Sequence, residues 1–120
     1  MKVSDKCVLD LFREVVGKKA GFRCEKCGAF GQDFHPHHIF TRANKSIRYD
    51  AALNGAWLCN SCHREAEASP RDFNAIMVAL RGNSWWVELV RAKNQVVKFN
   101  DAFRSEWKER LKNELRRAAA

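Results

Sequence analysis

The residue types best suited to chemistry in this sequence fall between positions 24 and 63. Cys24-Glu25-Lys26-Cys27 and Cys59-Asn60-Ser61-Cys62 are two C-x-x-C pairs. Each pair can aim two thiolates at one tetrahedral ion, with N–H groups of the turn pointing at the sulfurs. Four thiolates close the coordination sphere, the pattern of a structural zinc site and not of a catalytic one. Gly28 follows the first pair, where a tight turn wants a residue without a Cβ. The second pair ends where a helix is expected to begin. One C-x-x-C would leave a redox dithiol open; two, separated by a loop-rich segment, point to zinc. Cys7, the fifth cysteine, lies beside apolar helix positions and reads as a small buried hydrophobe.

Between the pairs runs His35-Pro36-His37-His38-Ile39, followed by Asn54-Gly55, and His63 comes directly after Cys62. A lone histidine is usually structural, but here three histidines and an asparagine share one zinc-pinned unit. His63, on the first turn of its helix, is held close to wherever Cys62 is held. If the strand bearing His37 and His38 packs on that helix, a second metal site forms beside the zinc. Few protein ligands would leave it open to water and phosphate. His35 reads as a turn or surface residue.

The order C-x-x-C, H-H-I, N-G, L-C-x-x-C-H resembles the HNH endonucleases, in the zinc-bound branch of the ββα-metal nucleases. The segment His38-Ile39-Phe40-Thr41-Arg42 with Asn54-Gly55 further resembles small HNH proteins of phages and prophages. The resemblance covers Cys24 to about Ala68 and implies roles position by position. His38 matches the general base that activates the attacking water. Asn54, its partner in the catalytic set, matches the residue that fixes the hairpin and orients the base. His37 and His63 match the ligands of a catalytic metal. The first ligand is often an acid; an imidazole there favours Zn²⁺, Ni²⁺ or Mn²⁺ over Mg²⁺ relative to an acidic site, so all four stay open. The implied reaction is hydrolysis of DNA phosphodiesters with one catalytic metal, leaving 5′-phosphate and 3′-hydroxyl ends. The module also leaves room for a phage or host recombination or packaging protein as partner.

Charge agrees with a polyanionic substrate. Lys and Arg outnumber Asp and Glu by 22 to 14, a formal net charge of +8. Arg42, Lys45 and Arg48 lie in the loop after the histidines, and Arg64 follows His63; all four are candidate DNA phosphate contacts. Nothing announces base readout. A zinc module that only binds DNA would not need His38, Asn54 and His63 together, and a protein-interaction domain would not need the basic charge.

The elements that must position these residues follow from periodicity. Val8, Leu11, Phe12 and Val15 mark an amphipathic helix over about Ser4 to Lys18, framed by Gly17 and Gly21. Short strands are expected near His37–Phe40 and Gly55–Leu58, and a short helix over Ser61–Ala68. Ser69-Pro70-Arg71-Asp72 starts a helix with Phe73, Ile76, Met77 and Leu80 on its apolar face, stopped by Gly82. Trp86, Leu89 and Val90 continue the theme. A last helix, about Asp101 to Arg117, buries Phe103, Trp107, Leu111 and Leu115, with Glu106 and Arg110 as a surface pair. The fold class is α+β: a small zinc-stapled ββα-metal, treble-clef-like core with an N-terminal helix and C-terminal helices. The chain reads as one domain, 1–120, with its core at 22–69 and a helical extension at 70–120. Asp5, Lys6, Asp10 and Arg13 interrupt any secretory signal, and no apolar run nears the roughly 20 residues of a membrane span. The expected setting is cytoplasmic, with no membrane partner.

Overall fold

The structure, a computed structural model, describes residues 2–119; positions 1 and 120 of the expected domain lie outside the described residues. Helix α1 spans Asp5–Lys19, running two residues past Gly17. The Ser4 hydroxyl caps it by accepting from the Cys7 N–H at 3.1 Å. Asp5 in the first turn and Lys18 and Lys19 in the last suit the helix dipole. Val8, Phe12, Val15 and Val16 form its buried face. Cys7 sits beside that face and is only half-buried, which corrects the expectation of burial.

A knuckle follows, closed by an isolated bridge between Arg23 and Phe30. Gly28 turns it at φ 81°, a conformation costly for any residue with a Cβ. Strand β1 (His35–His38), a 3-10 turn (Lys45–Ile47), a helical turn α2 (Ala51–Asn54), strand β2 (Gly55–Leu58) and helix α3 (Asn60–Ala68) then build a ββα unit. The strands pair antiparallel, His35 opposite Leu58 and His38 opposite Gly55.

β1 starts two residues earlier than expected and stops at His38, so His35 is a strand residue and not a turn residue. The reason lies in Asn54. Its main-chain carbonyl accepts from the Ile39 N–H at 2.9 Å, and its side chain takes both the N–H and the C=O of Phe40. The backbone beyond His38 is therefore satisfied outside a ladder. Pro36 is tolerated because a two-stranded sheet has an unpaired outer edge.

Three helices complete the chain: α4 (Pro70–Arg81), α5 (Asn83–Lys93) and α6 (Asp101–Ala119). The hairpin lies between two apolar clusters. One joins Ile39, Ile47, Leu58, Ala66, Phe73, Met77, Trp85 and Leu89. The other joins Val8, Phe12, Val15, Tyr49, Trp57, Trp107 and Leu111, where α1 and α6 pack side by side. These two helices run in the same direction: Val3 N–H meets Asp101 at one end, and Lys19 pairs with Glu114 at the other. At Gly55 a Cβ would come within 2.5 Å of Val16 and 2.8 Å of the Ala51 carbonyl, so β2 can pass α1 only as glycine.

The helical stripes are narrower than expected. On α4 only Phe73 and Met77 are buried, while Ile76 and Leu80 are exposed. On α5 the buried residues are Trp85 and Leu89, with Trp86 packed beside Phe40. On α6 the guanidinium of Arg110 lies 3.8 Å from the Trp107 ring centroid, and no ion pair joins it to Glu106 among the described residues. The whole is a mixed α+β fold around a cysteine-pinned ββα core.

Candidate active site

Cys24 and Cys27 come from the knuckle, Cys59 and Cys62 from the start of α3. Their four sulfurs lie within 4.8 Å of one another. Tetrahedral zinc–sulfur bonds of about 2.3 Å place sulfurs roughly 3.8 Å apart; Cys27 Sγ and Cys59 Sγ are 3.8 Å apart. Cys59 is also the N-cap of α3, its sulfur accepting from the Cys62 N–H at 3.5 Å. That donor holds the Cys59 thiol down to about 7, towards the thiolate a metal needs. The cluster is able to hold a metal ion such as zinc. It is braced from outside: the Glu25 N–H reaches the Trp57 carbonyl at 2.9 Å. Arg81 of α4 grips the Glu25 carboxylate at 2.7 Å and the Gly55 carbonyl at 2.6 Å.

Beside this knot lies an open cleft of about 420 Å³, lined by Leu9, Phe12, Pro36, His37, His38, Thr41, Arg42, His63 and Glu67. Successive strand residues face opposite sides, and the two histidines of β1 do so. His37 packs edge-on to His63, centroids 5.4 Å apart, and to Phe73 at 5.1 Å. His38 turns towards α1 and stacks on Phe12 at 4.3 Å. Its Nε2 lies 2.9 Å from the Arg48 carbonyl oxygen. A carbonyl only accepts, so Nε2 carries the proton and Nδ1 keeps a free lone pair.

Burial holds both β1 histidines neutral at pH 7. His37 is lowered to about 4, first by desolvation and then by His63 and His38. His38 is lowered to about 4 by desolvation, which the Arg48 carbonyl partly opposes. Desolvation lowers His63 as well, with Glu67 opposing it. The His63 Nδ1 lies 3.2 Å from the Glu67 carboxylate, leaving Nε2 free.

Asn54 does not reach this cleft. It is fully buried, its Oδ1 accepting from Phe40 N–H at 2.8 Å and its Nδ2 donating to the carbonyls of Phe40 and Ile47 at 3.0 and 3.3 Å. It ties the end of β1 to the 3-10 turn, one residue short of the carbonyl that His38 engages.

The expected cations separate. Arg42 is exposed and lines the cleft; Lys45 is exposed with its ammonium 4.4 Å from the Phe99 ring centroid; Arg64 is exposed on α3. Arg48 differs from the others in being engaged within the fold. Its guanidinium is engaged by Asp5 at 2.8 and 2.6 Å and by the Arg42 carbonyl at 2.9 Å.

Residues 24–69 match the family model described as HNH endonuclease. Over these residues the cysteine-pinned core is similar to HNH endonuclease domains. No curated protein and no solved structure matches the chain. That likeness points to nuclease activity on nucleic acid, and HNH nucleases use divalent metals. Among the described residues no helix is long and apolar enough to cross a membrane.

Sequence reasoning missed several residues around the HNH core. Glu67 had a signal, since it stands one helical turn after His63. His35 had one too: strand alternation puts it on the same face as His37, and it stacks on His63 at 4.6 Å while its Nε2 meets Asn60 Oδ1 at 2.5 Å. Phe12 was assigned to the core stripe alone, and Asp5 carried no signal.

Proposed function

We propose that the chain is a metal-dependent DNA endonuclease, with His38 as general base and a single catalytic metal, leaving 5′-phosphate and 3′-hydroxyl ends. The observation that carries this reading is that His37, His38 and His63 all line one open cleft, with the His38 tautomer set by the Arg48 carbonyl. A neutral imidazole with its free Nδ1 can take the proton of a water attacking a phosphodiester in line.

His37 and His63 would hold the catalytic metal, with Glu67 fixing the His63 ring so that Nε2 is presented. That ion, when bound, stabilises charge on the phosphate and the leaving oxygen. Two imidazoles suit Zn²⁺, Ni²⁺ or Mn²⁺ better than Mg²⁺. Cys24, Cys27, Cys59 and Cys62 would hold a structural zinc. Arg42, Lys45 and Arg64 are the exposed cations disposed to meet phosphates, which position a duplex without reading its sequence. We treat residues 1–120 as one nuclease unit in the cytoplasm, core 22–69 with the helices of 70–120; the packing of α6 along α1 supports this.

A plasmid-nicking assay over Mg²⁺, Mn²⁺, Ni²⁺ and Zn²⁺, with a chelator control, tests the reading. Metal-dependent nicking is expected. His38→Ala should lower the rate roughly 10²–10⁴-fold with unchanged DNA affinity. His63→Ala should also lose cleavage, and raised metal should partly restore it while leaving His38→Ala inactive. DNA binding without cleavage under any metal would favour a module that only binds, and wild-type cleavage by His38→Ala would remove the base assignment.

A further inference from the structure

The HNH segment does not complete its own cleft. The general base proposed above is oriented by a carbonyl, and a hydrogen bond orients only as well as its acceptor is held. That acceptor is the main-chain oxygen of Arg48, at the end of a loop running from Thr41 through the 3-10 turn. Loops of this kind are mobile unless tied down.

The tie comes from α1. Asp5 Oδ1 accepts from Arg48 Nε at 2.8 Å and Oδ2 from Arg48 Nη2 at 2.6 Å, the two-pronged fit of a guanidinium on a carboxylate. The Tyr49 hydroxyl donates to the same carboxylate at 2.5 Å. The remaining Arg48 nitrogen, Nη1, donates to the Arg42 carbonyl at 2.9 Å. One carboxylate thus fixes Arg48 and Tyr49 directly and Arg42 at one remove. Two turns on from Asp5, the same helix presents Phe12 to the His38 ring. Asp5 lies outside residues 24–69, so the family match does not assign it.

We propose that Asp5 is a positioning residue for His38, acting through Arg48, and that α1 is thereby part of the catalytic centre. This rests on the reading of His38 as the base. The carboxylate holds the Arg48 main chain where its oxygen sets the His38 tautomer, and Phe12 holds the plane of the ring. Misplacing a reacting group by about 1 Å can cost on the order of 10²-fold in rate.

The test is single-turnover cleavage of a plasmid by zinc-loaded protein, for Asp5→Asn, Asp5→Glu, His38→Ala and the double variant Asp5→Asn/His38→Ala. Asp5→Asn keeps the size of the side chain and removes its second strong acceptor. Its maximal cleavage rate should fall roughly 10- to 100-fold while the DNA concentration for half-maximal rate and the zinc content stay at wild-type values. Asp5→Glu should recover part of the loss. On the His38→Ala background Asp5→Asn should cost little more, because the group it positions is gone. Should Asp5→Asn fail to fold, Arg48→Lys carries the same test, keeping the charge and losing the fork.

The same fold loss on both backgrounds, or a loss that only tracks melting temperature, overturns the positioning role while leaving His38 as base. Wild-type cleavage by His38→Ala overturns the base reading whatever Asp5 does.

Discussion

The two centres of this molecule, the cysteine knot and the histidine cleft, sit side by side and are built on opposite plans. The knot takes its four sulfurs from two short turns, points them inward and closes on itself. The cleft takes His37 and His38 from β1, His63 and Glu67 from α3, Arg42 from a loop and Phe12 from α1, and stays open. A structural site needs only that its ligands converge, and a C-x-x-C turn does most of that locally. A reactive site needs each group aimed, so it recruits its support from distant elements. The knot should therefore govern whether the protein folds, and the cleft whether the folded protein reacts.

The largest effect tests the first half of that contrast. Cys59→Ser removes one sulfur of the knot while leaving a hydroxyl that can still cap α3. In a domain this small, metal binding supplies folding free energy. Zinc should be lost and the cooperative melting transition with it, as read by elemental analysis and circular dichroism. A Cys59→Ser protein that keeps stoichiometric zinc and wild-type melting would end the comparison.

The same contrast explains what was legible in the sequence. The clustering of the four cysteines, β2 and the start of α3 follow from spacings of a few residues, and the structure has them as read except that α3 begins one residue earlier, at Asn60. β1 was displaced because its end is decided by Asn54, which satisfies the backbone of Phe40 from 14 residues away and that of Ile39 beside it. Arg42, Lys45 and Arg48 look alike as three cations in one loop. Only the fold reveals that Asp5, 43 residues earlier, claims Arg48. On α4, Ile76 and Leu80 share the periodicity of Phe73 and Met77, but the neighbours α3 and α5 cover only part of that face. Periodicity reports which residues could be buried together, not how wide a partner will arrive.

A smaller effect sharpens the second half. Glu67→Gln keeps the size of the side chain and removes the charge that faces His63 Nδ1. Partners of this kind are worth roughly 10- to 100-fold in metal affinity, and the exposed position of Glu67 argues for the lower end. The metal concentration for half-maximal cleavage should rise about tenfold, with melting temperature and zinc content unchanged. If Glu67→Gln instead lowers melting as Cys59→Ser does, the cleft is holding the fold as well, and the division between the two centres fails.

The smallest effect concerns the strut between α1 and the cleft. Arg48 and Tyr49 hold the Asp5 carboxyl down to about 2 in the folded protein, against 3.8 without them, and desolvation opposes the shift. A carboxyl with a lowered folded pKa binds its proton more readily when the chain is unfolded. Its stabilisation is fully present above the unfolded value and is lost as pH falls from about 4 towards 2. The carboxylate is two-fifths exposed, so solvent screens the pair and the gain is modest. Wild type should melt slightly above Asp5→Asn, by a gap that stays constant from pH 8 to about pH 4.5 and narrows only below pH 4. Acid sensitivity at higher pH belongs to other groups, His37 and His38 among them, whose lowered values make them cost stability as pH falls from 6.5 towards 4. Melting curves of both proteins across that range decide it. A gap that closes near pH 6 would mean that the ion pair is not what Asp5 contributes. A gap still at its full width at pH 2, where the folded carboxyl is being protonated, would mean that its hydrogen bonds hold without its charge, leaving the strut in place but not as an ion pair.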